Sequence, residues 1–176
     1  VPLTTDKDTL RAAIDSLSVA GSTAGNLGIA WAWHVLSPNM GYVWPNGSQP
    51  APYDGTNLLK AAIIMTDGEF NTVHCNGVVA RNSTEGSGEL SYQIGCNAPN
   101  GAPYSQARAY CDAMKATNSI IIFTVGFAIA EGSAAAELLS YCATSPANYF
   151  LAESASGLDA AFQQIASNIS ALRIAR

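Results

Sequence analysis

The sequence predicts an α/β fold, a mostly parallel sheet flanked by helices. Two observations carry this. From Leu59 onward, apolar runs of strand length alternate with stretches of helical periodicity, in the order strand, helix, strand, helix, strand, helix. Such alternation builds parallel strands joined by right-handed crossovers. The second observation is Ile120-Ile121-Ile122-Phe123-Thr124-Val125, an unbroken β-branched and aromatic run. A strand of that kind is covered on both faces, as inside a parallel sheet.

The elements follow in order. Asp6 to Ser18 reads as a helix, because Leu10, Ala13, Ile14 and Leu17 recur on one face. Thr5 or Asp6 can cap its start, and Gly21 follows its end. Leu27 to Leu36 is a second helix, apolar on nearly every side through Ile29, Trp31, Trp33, Val35 and Leu36, and so expected to be buried. Its two tryptophans cannot share one narrow face. One is expected in the core, the other under the loop that follows. That loop, 39–58, is rich in Pro, Gly, Asn and Tyr, and inside it Tyr42 and Trp44 are expected to stack. Ala61 to Met65 is a short buried strand ended by Thr66-Asp67-Gly68. A second long irregular stretch, 71–103, holds Cys75 and Cys96. Ser105 to Thr117 reads as a helix capped by Ser105, followed by the strand at Ser119 to Val125. A helix at Ser133 to Tyr141, a strand at Asn148 to Leu151 and a helix at Ser156 to Leu172 complete the chain. The last helix places Leu158, Phe162, Ile165, Ile169 and Leu172 on one face.

Composition narrows the function. The 176 residues suit one domain. Only 12% are charged, about half the usual share, and the net charge is −5. Lys and Arg are scattered, which argues against nucleic acid as a partner. The longest apolar stretch, Ile120 to Ala130, is too short to span a bilayer. The chain opens on Val1 with neither an initiator Met nor a leader, so a fragment or a processed product is expected. Cys75, Cys96, Cys111 and Cys142 form no Cys-x-x-Cys pair, and neither His34 nor His74 has zinc spacing. Two disulfides and an extracytoplasmic setting are expected; four free thiols in a reducing compartment are the alternative. Cys111 and Cys142 sit on helices either side of the main strand, which favours Cys111–Cys142 with Cys75–Cys96, although four cysteines permit three pairings. Asn46-Gly47-Ser48 and Asn82-Ser83-Thr84 are glycosylation sequons, which would carry no weight were the protein bacterial.

Ligands of open parallel sheets bind beyond the carboxyl ends of the strands. Asp67 falls at such an end, and the loop Gly21-Ser22-Thr23-Ala24-Gly25 can reach the same rim. A carboxylate and a hydroxyl there could hold a divalent cation, which takes oxygen ligands. Gly21-x-Thr23 and Thr66-Asp67-Gly68 resemble the second and third elements of the metal-ion-dependent adhesion site of von Willebrand factor A domains. Further stretches extend the likeness over essentially the whole chain. These are Val1-Pro2-Leu3-Thr4-Thr5, Leu27-Gly28-Ile29-Ala30-Trp31-Ala32-Trp33, Leu36-Ser37-Pro38, Thr66-Asp67-Gly68-Glu69-Phe70-Asn71-Thr72 and Leu172-Arg173. Together they resemble the C-terminal region of TadG-like proteins, components of bacterial tight-adherence (Flp) pilus assembly.

That resemblance implies a Rossmann-like von Willebrand A-type fold over 1–176, partial because it lacks the N-terminal strand or strands. It implies Thr23 and Asp67 as metal ligands, with Ser22, Gly68, Glu69 and Asn71 supporting the loop. The family's first metal-site element, Asp-x-Ser-x-Ser, is absent; Asp15-Ser16 lies within a helix. Mg2+ or Ca2+ would therefore be held weakly, if at all. The strand ending at Asp67 would lose a neighbour, which calls for a strand-completing N-terminal segment, a homodimer or a rearranged edge. The implied function is non-catalytic: a binding and assembly module of the bacterial envelope, serving Flp-type pilus biogenesis and surface adhesion through a protein partner. Two alternatives stand beside it. One is a hydrolase using Ser22 or Thr23 with His34 or His74, although no Gly-x-Ser-x-Gly elbow occurs. The other is a structural domain whose metal site has decayed, with Asp67 merely capping its loop.

Overall fold

The computed structural model describes residues 1–18, 22–54, 58–83 and 96–174. Gly21, Thr84 and parts of the loops at 39–58 and 71–103 lie outside the described residues. The chain has a mixed α/β architecture, a Rossmann-like arrangement in which helices flank a parallel sheet.

Three strands form that sheet: β1 (Lys60–Thr66), β4 (Ile120–Phe127) and β5 (Tyr149–Ala152), in the spatial order β1-β4-β5. All pairings are parallel, with Lys60 opposite Ile120 and Thr66 opposite Gly126. The run of β-branched residues takes the centre, and Ile122, Phe123, Thr124 and Val125 are wholly buried. One face of the sheet packs on α2 (Gly25–Leu36), α3 (Pro103–Ala116) and α4 (Ala134–Cys142). There Ile29, Ile64, Met114, Ile122, Leu138 and Leu139 make the main core. The other face packs on α5 (Ala155–Ile174), where Phe123 and Val125 meet Ala161 and Ile165.

Several expectations need correction. β1 is not buried on both sides: its pattern alternates, and Ile63 and Met65 are 43% and 44% exposed. Among the described residues it is an edge strand, and α5 lies chiefly against β4 and β5. The helix at Leu27 to Leu36 is likewise not covered all round. It buries Asn26, Ile29 and Ala30 but leaves Leu27 and Trp31 exposed. Trp33 packs against the core, while Trp31 meets Trp44 of the following loop edge-on but is left exposed rather than covered by that loop. That loop begins with a 3-10 turn at Pro38–Val43, and Tyr42 within it is exposed, donates to the Met40 sulfur and stacks on no ring among the described residues. In the second loop, β2 (His74–Cys75) and β3 (Val78–Val79) form a small hairpin, with Asn76 and Gly77 at positive φ in its turn. α3 begins before Ser105: Pro103 occupies its first turn, where the missing N–H costs nothing, and Ala102 is the cap. α1 (Lys7–Asp15) is capped by Asp6, but Leu10 and Ile14, on its apolar stripe, and Leu17 beyond its end are exposed. In α5, Phe162 is also exposed and outside the core.

Disulfides join Cys75 to Cys96 and Cys111 to Cys142. The second ties α3 to α4 in the core, with both cysteines fully buried. Two such bridges mark an oxidising, extracytoplasmic setting. No described helix is long and apolar enough to cross a membrane.

Candidate functional site

β1 ends at Thr66, and the chain turns immediately. The Thr66 hydroxyl donates to the Gly68 carbonyl (2.9 Å) and accepts from the Gly68 amide (3.3 Å). This closes a tight loop with Asp67 at its tip, exposed to solvent. The turn is held locally by these two hydrogen bonds between Thr66 and Gly68.

Thr23 is brought to the same place by a different set of contacts. Its amide donates to the Asn71 side-chain oxygen (3.0 Å), and its carbonyl accepts from the amides of Asn71 (3.0 Å) and Thr72 (3.2 Å). The Thr72 hydroxyl also donates to the Asn71 oxygen (2.8 Å). Asn71 therefore braces the Thr23 loop directly. Thr23 and Asp67 line one groove of about 370 Å³ between β1 and α2, at the carboxyl end of the parallel sheet. Among the described residues, neither the Thr23 hydroxyl nor the Asp67 carboxylate has a hydrogen-bonding partner. Ser22 is half-buried and does not line the groove.

Glu69 is turned away from the groove. Its carboxylate accepts from the Tyr104 hydroxyl, and that hydroxyl accepts from the Phe70 amide (3.0 Å). Partial burial, then the hydrogen bond to Glu69, push the Tyr104 phenol well above its ordinary pKa. The Phe70 ring stacks on Tyr104 at 5.8 Å and 10° and is almost wholly buried. It also lies directly over Gly25, where a Cβ would come within 2.2 Å of the ring. Phe70 thus clamps the loop after β1 to the start of α2. Sequence reasoning missed Tyr104 and the part played by Gly25. Neither carries a local signal, because the contacts form only when α2, α3 and β1 pack together.

Chemically, the groove offers two free oxygen donors at its rim. No group of three or more His, Cys, Asp or Glu that could hold a metal occurs among the described residues. Neither histidine lines the groove. His34 packs between Trp31 and Trp33, and His74 belongs to the hairpin.

No family model matches the chain, and no characterised protein matches it in sequence. Among solved structures, the pilus adhesin SpaC from Lactobacillus rhamnosus GG is similar, in two crystal structures, one of them in the open conformation. Each gives a TM-score of 0.52, at 16% and 17% identity, covering 93% of this chain. The likeness is one of fold. The chain spans only 21% of the adhesin's length.

Proposed function

We propose that the chain is a non-catalytic binding and assembly module of the bacterial envelope, acting at the groove rim that holds Thr23 and Asp67. The observation that carries this reading is the placement of two unpartnered oxygen donors at the carboxyl end of a parallel sheet, where such folds bind ligands. The resemblance of Thr66-Asp67-Gly68-Glu69-Phe70-Asn71 to TadG-like von Willebrand A domains supports a role in Flp-type pilus biogenesis and surface adhesion. The fold likeness to a pilus adhesin points the same way. The two disulfides agree with a periplasmic, outer-membrane or surface location.

In this reading Thr23 and Asp67 are a partial metal site for Mg2+ or Ca2+. With two protein donors the ion keeps most of its waters, so affinity is low until a protein partner, a preceding segment or a second copy adds ligands. Calorimetric titration of Mg2+ and Ca2+ into the chain tests this. Weak binding that disappears in Asp67→Ala is expected. Tight binding by the chain alone, or binding indifferent to Asp67, would overturn it. Turnover of ester, peptide or phosphoester probes would overturn the non-catalytic part.

A second reading is a structural domain with a decayed site: among the described residues no cluster of three His, Cys, Asp or Glu surrounds Asp67. It predicts no shift of Thr23 or Asp67 resonances even at high magnesium.

A further inference from the structure

β1 is an edge strand whose outer flank has no ladder partner among the described residues. Unpaired edges are templates for strand addition, and proteins usually blunt them with Pro, bulges, exposed lysines or inward charges. β1 carries one of these devices, an inward charge at its first residue, and none of the others, so Ala61 to Thr66 are unguarded. It pairs with β4 in unbroken register over Lys60 to Thr66 and contains no Pro. Its one charged residue, Lys60, is tucked inward and donates to the carbonyls of Leu36 (2.6 Å) and Ala51 (2.5 Å). Beside the edge runs the groove already described. Its α2 wall is built from small residues, Gly25, Gly28 and Ala32, and a Cβ on Gly28 would meet nothing within 4 Å. Ile63 and Met65 stand half exposed on the neighbouring wall. Among the described residues, Asp67, at the end of the groove, is its only charged lining residue and has no hydrogen-bonding partner.

We propose that this edge is a strand-acceptor site: an extended, mainly apolar segment of a partner polypeptide adds in parallel to β1 and brings a basic side chain to Asp67. The main chain of the added strand pairs with the free flank of β1, and its apolar side chains meet Ile63 and Met65. Charge selects the occupant. A second copy paired in parallel would set Asp67 against Asp67. Paired antiparallel about Ile63, it would set Asp67 across from Leu59, while its Lys60 is held by two carbonyls. Two copies, each carrying a net charge of −5, also repel. The proposal goes beyond the metal-site reading, because it requires no ion.

Hydrogen exchange of residues 60–66 in EDTA tests it, with a short peptide alternating valine and threonine and ending in lysine. Exchange at the β1 amides not paired with β4 slows, and the lysine peptide binds roughly two- to fivefold more tightly than the same peptide ending in glutamate. A peptide carrying proline at alternate positions leaves exchange unchanged, since it cannot donate to the ladder. Exchange unaffected by the lysine peptide, or equal affinity for both ends, would overturn the proposal. Protection that grows with protein concentration alone would give the edge to a second copy instead. Slowing that requires Mg2+ would replace the direct contact with an ion. A failed magnesium titration leaves this experiment untouched, and the reverse holds as well.

Discussion

Gly25 opens α2, and alanine is in general the better helix former. Here the Phe70 ring occupies the space a methyl would need. Gly25→Ala should therefore destabilise, by about 1–3 kcal/mol, as overpacking does. Chemical denaturation reads the sign directly: a gain in stability would mean that Phe70 does not clamp the two loops. Tyr104, whose hydroxyl bonds Glu69 and Phe70, gives a second prediction. Its folded pKa lies above the unfolded value of 10.0. Its contribution is thus fully present below pH 10 and is lost as the pH rises through the folded pKa. Tyr104→Phe should flatten that alkaline limb of the stability–pH curve; an unchanged limb would remove Tyr104 from the account. At this scale the sequence shows one part of the site and conceals another. Asp67 and Thr23 are legible because a strand end and a small polar loop announce a rim. Tyr104 is not, because it sits 35 residues from Glu69, on α3 rather than in the loop after β1, and only packing joins them.

The helices show what periodicity can and cannot reveal. Leu138, Leu139 and Met114 are fully buried, but the face of α3 that spacing reads as Ala109, Ala113 and Met114 is instead Ala107, Cys111 and Met114, and Ala109 is exposed. α1 has an equally clear stripe, yet buries nothing. Apolar spacing states which face prefers burial; it is silent on whether a neighbour exists to cover it. The same limit explains Trp31, which lies on an apolar helix that packs beside an edge strand and so stays exposed. The disulfides differ in accessibility in a testable way. Cys111 and Cys142 are fully buried between α3 and α4, whereas Cys75 and Cys96 are half-buried at the hairpin. Mild reductant under native conditions should open Cys75–Cys96 first, seen as alkylation at those two thiols. Loss of either bridge should cost about 3–4 kcal/mol in the chain-entropy model. Simultaneous reduction of both would show that α3 and α4 separate before the loop is lost.

For the molecule as a whole, the sheet is covered unequally. Helices α2, α3 and α4 shield one face over β1 and β4, whereas α5 lies on the other face against β4 and β5. The strand–helix alternation made the parallel topology legible from Leu59 onward, because each crossover requires its helix. It did not reveal that β1 would be left half bare, since Ala61 to Met65 reads as uniformly apolar whether or not a layer lies over it. Two adjacent isoleucines measure the difference. Ile64 points into the main core and is 6% exposed, while Ile63 faces the uncovered side at 43%. Ile64→Ala should cost about 2–5 kcal/mol, the range for a buried aliphatic truncated in a packed core. Ile63→Ala already has solvent on one side, so it opens no closed cavity and should cost less than about 1 kcal/mol. The comparison is made by denaturant midpoints at constant m-value on the isolated chain. Similar losses at both positions would mean that the second face of β1 is covered in solution, and the open edge would then be closed as well.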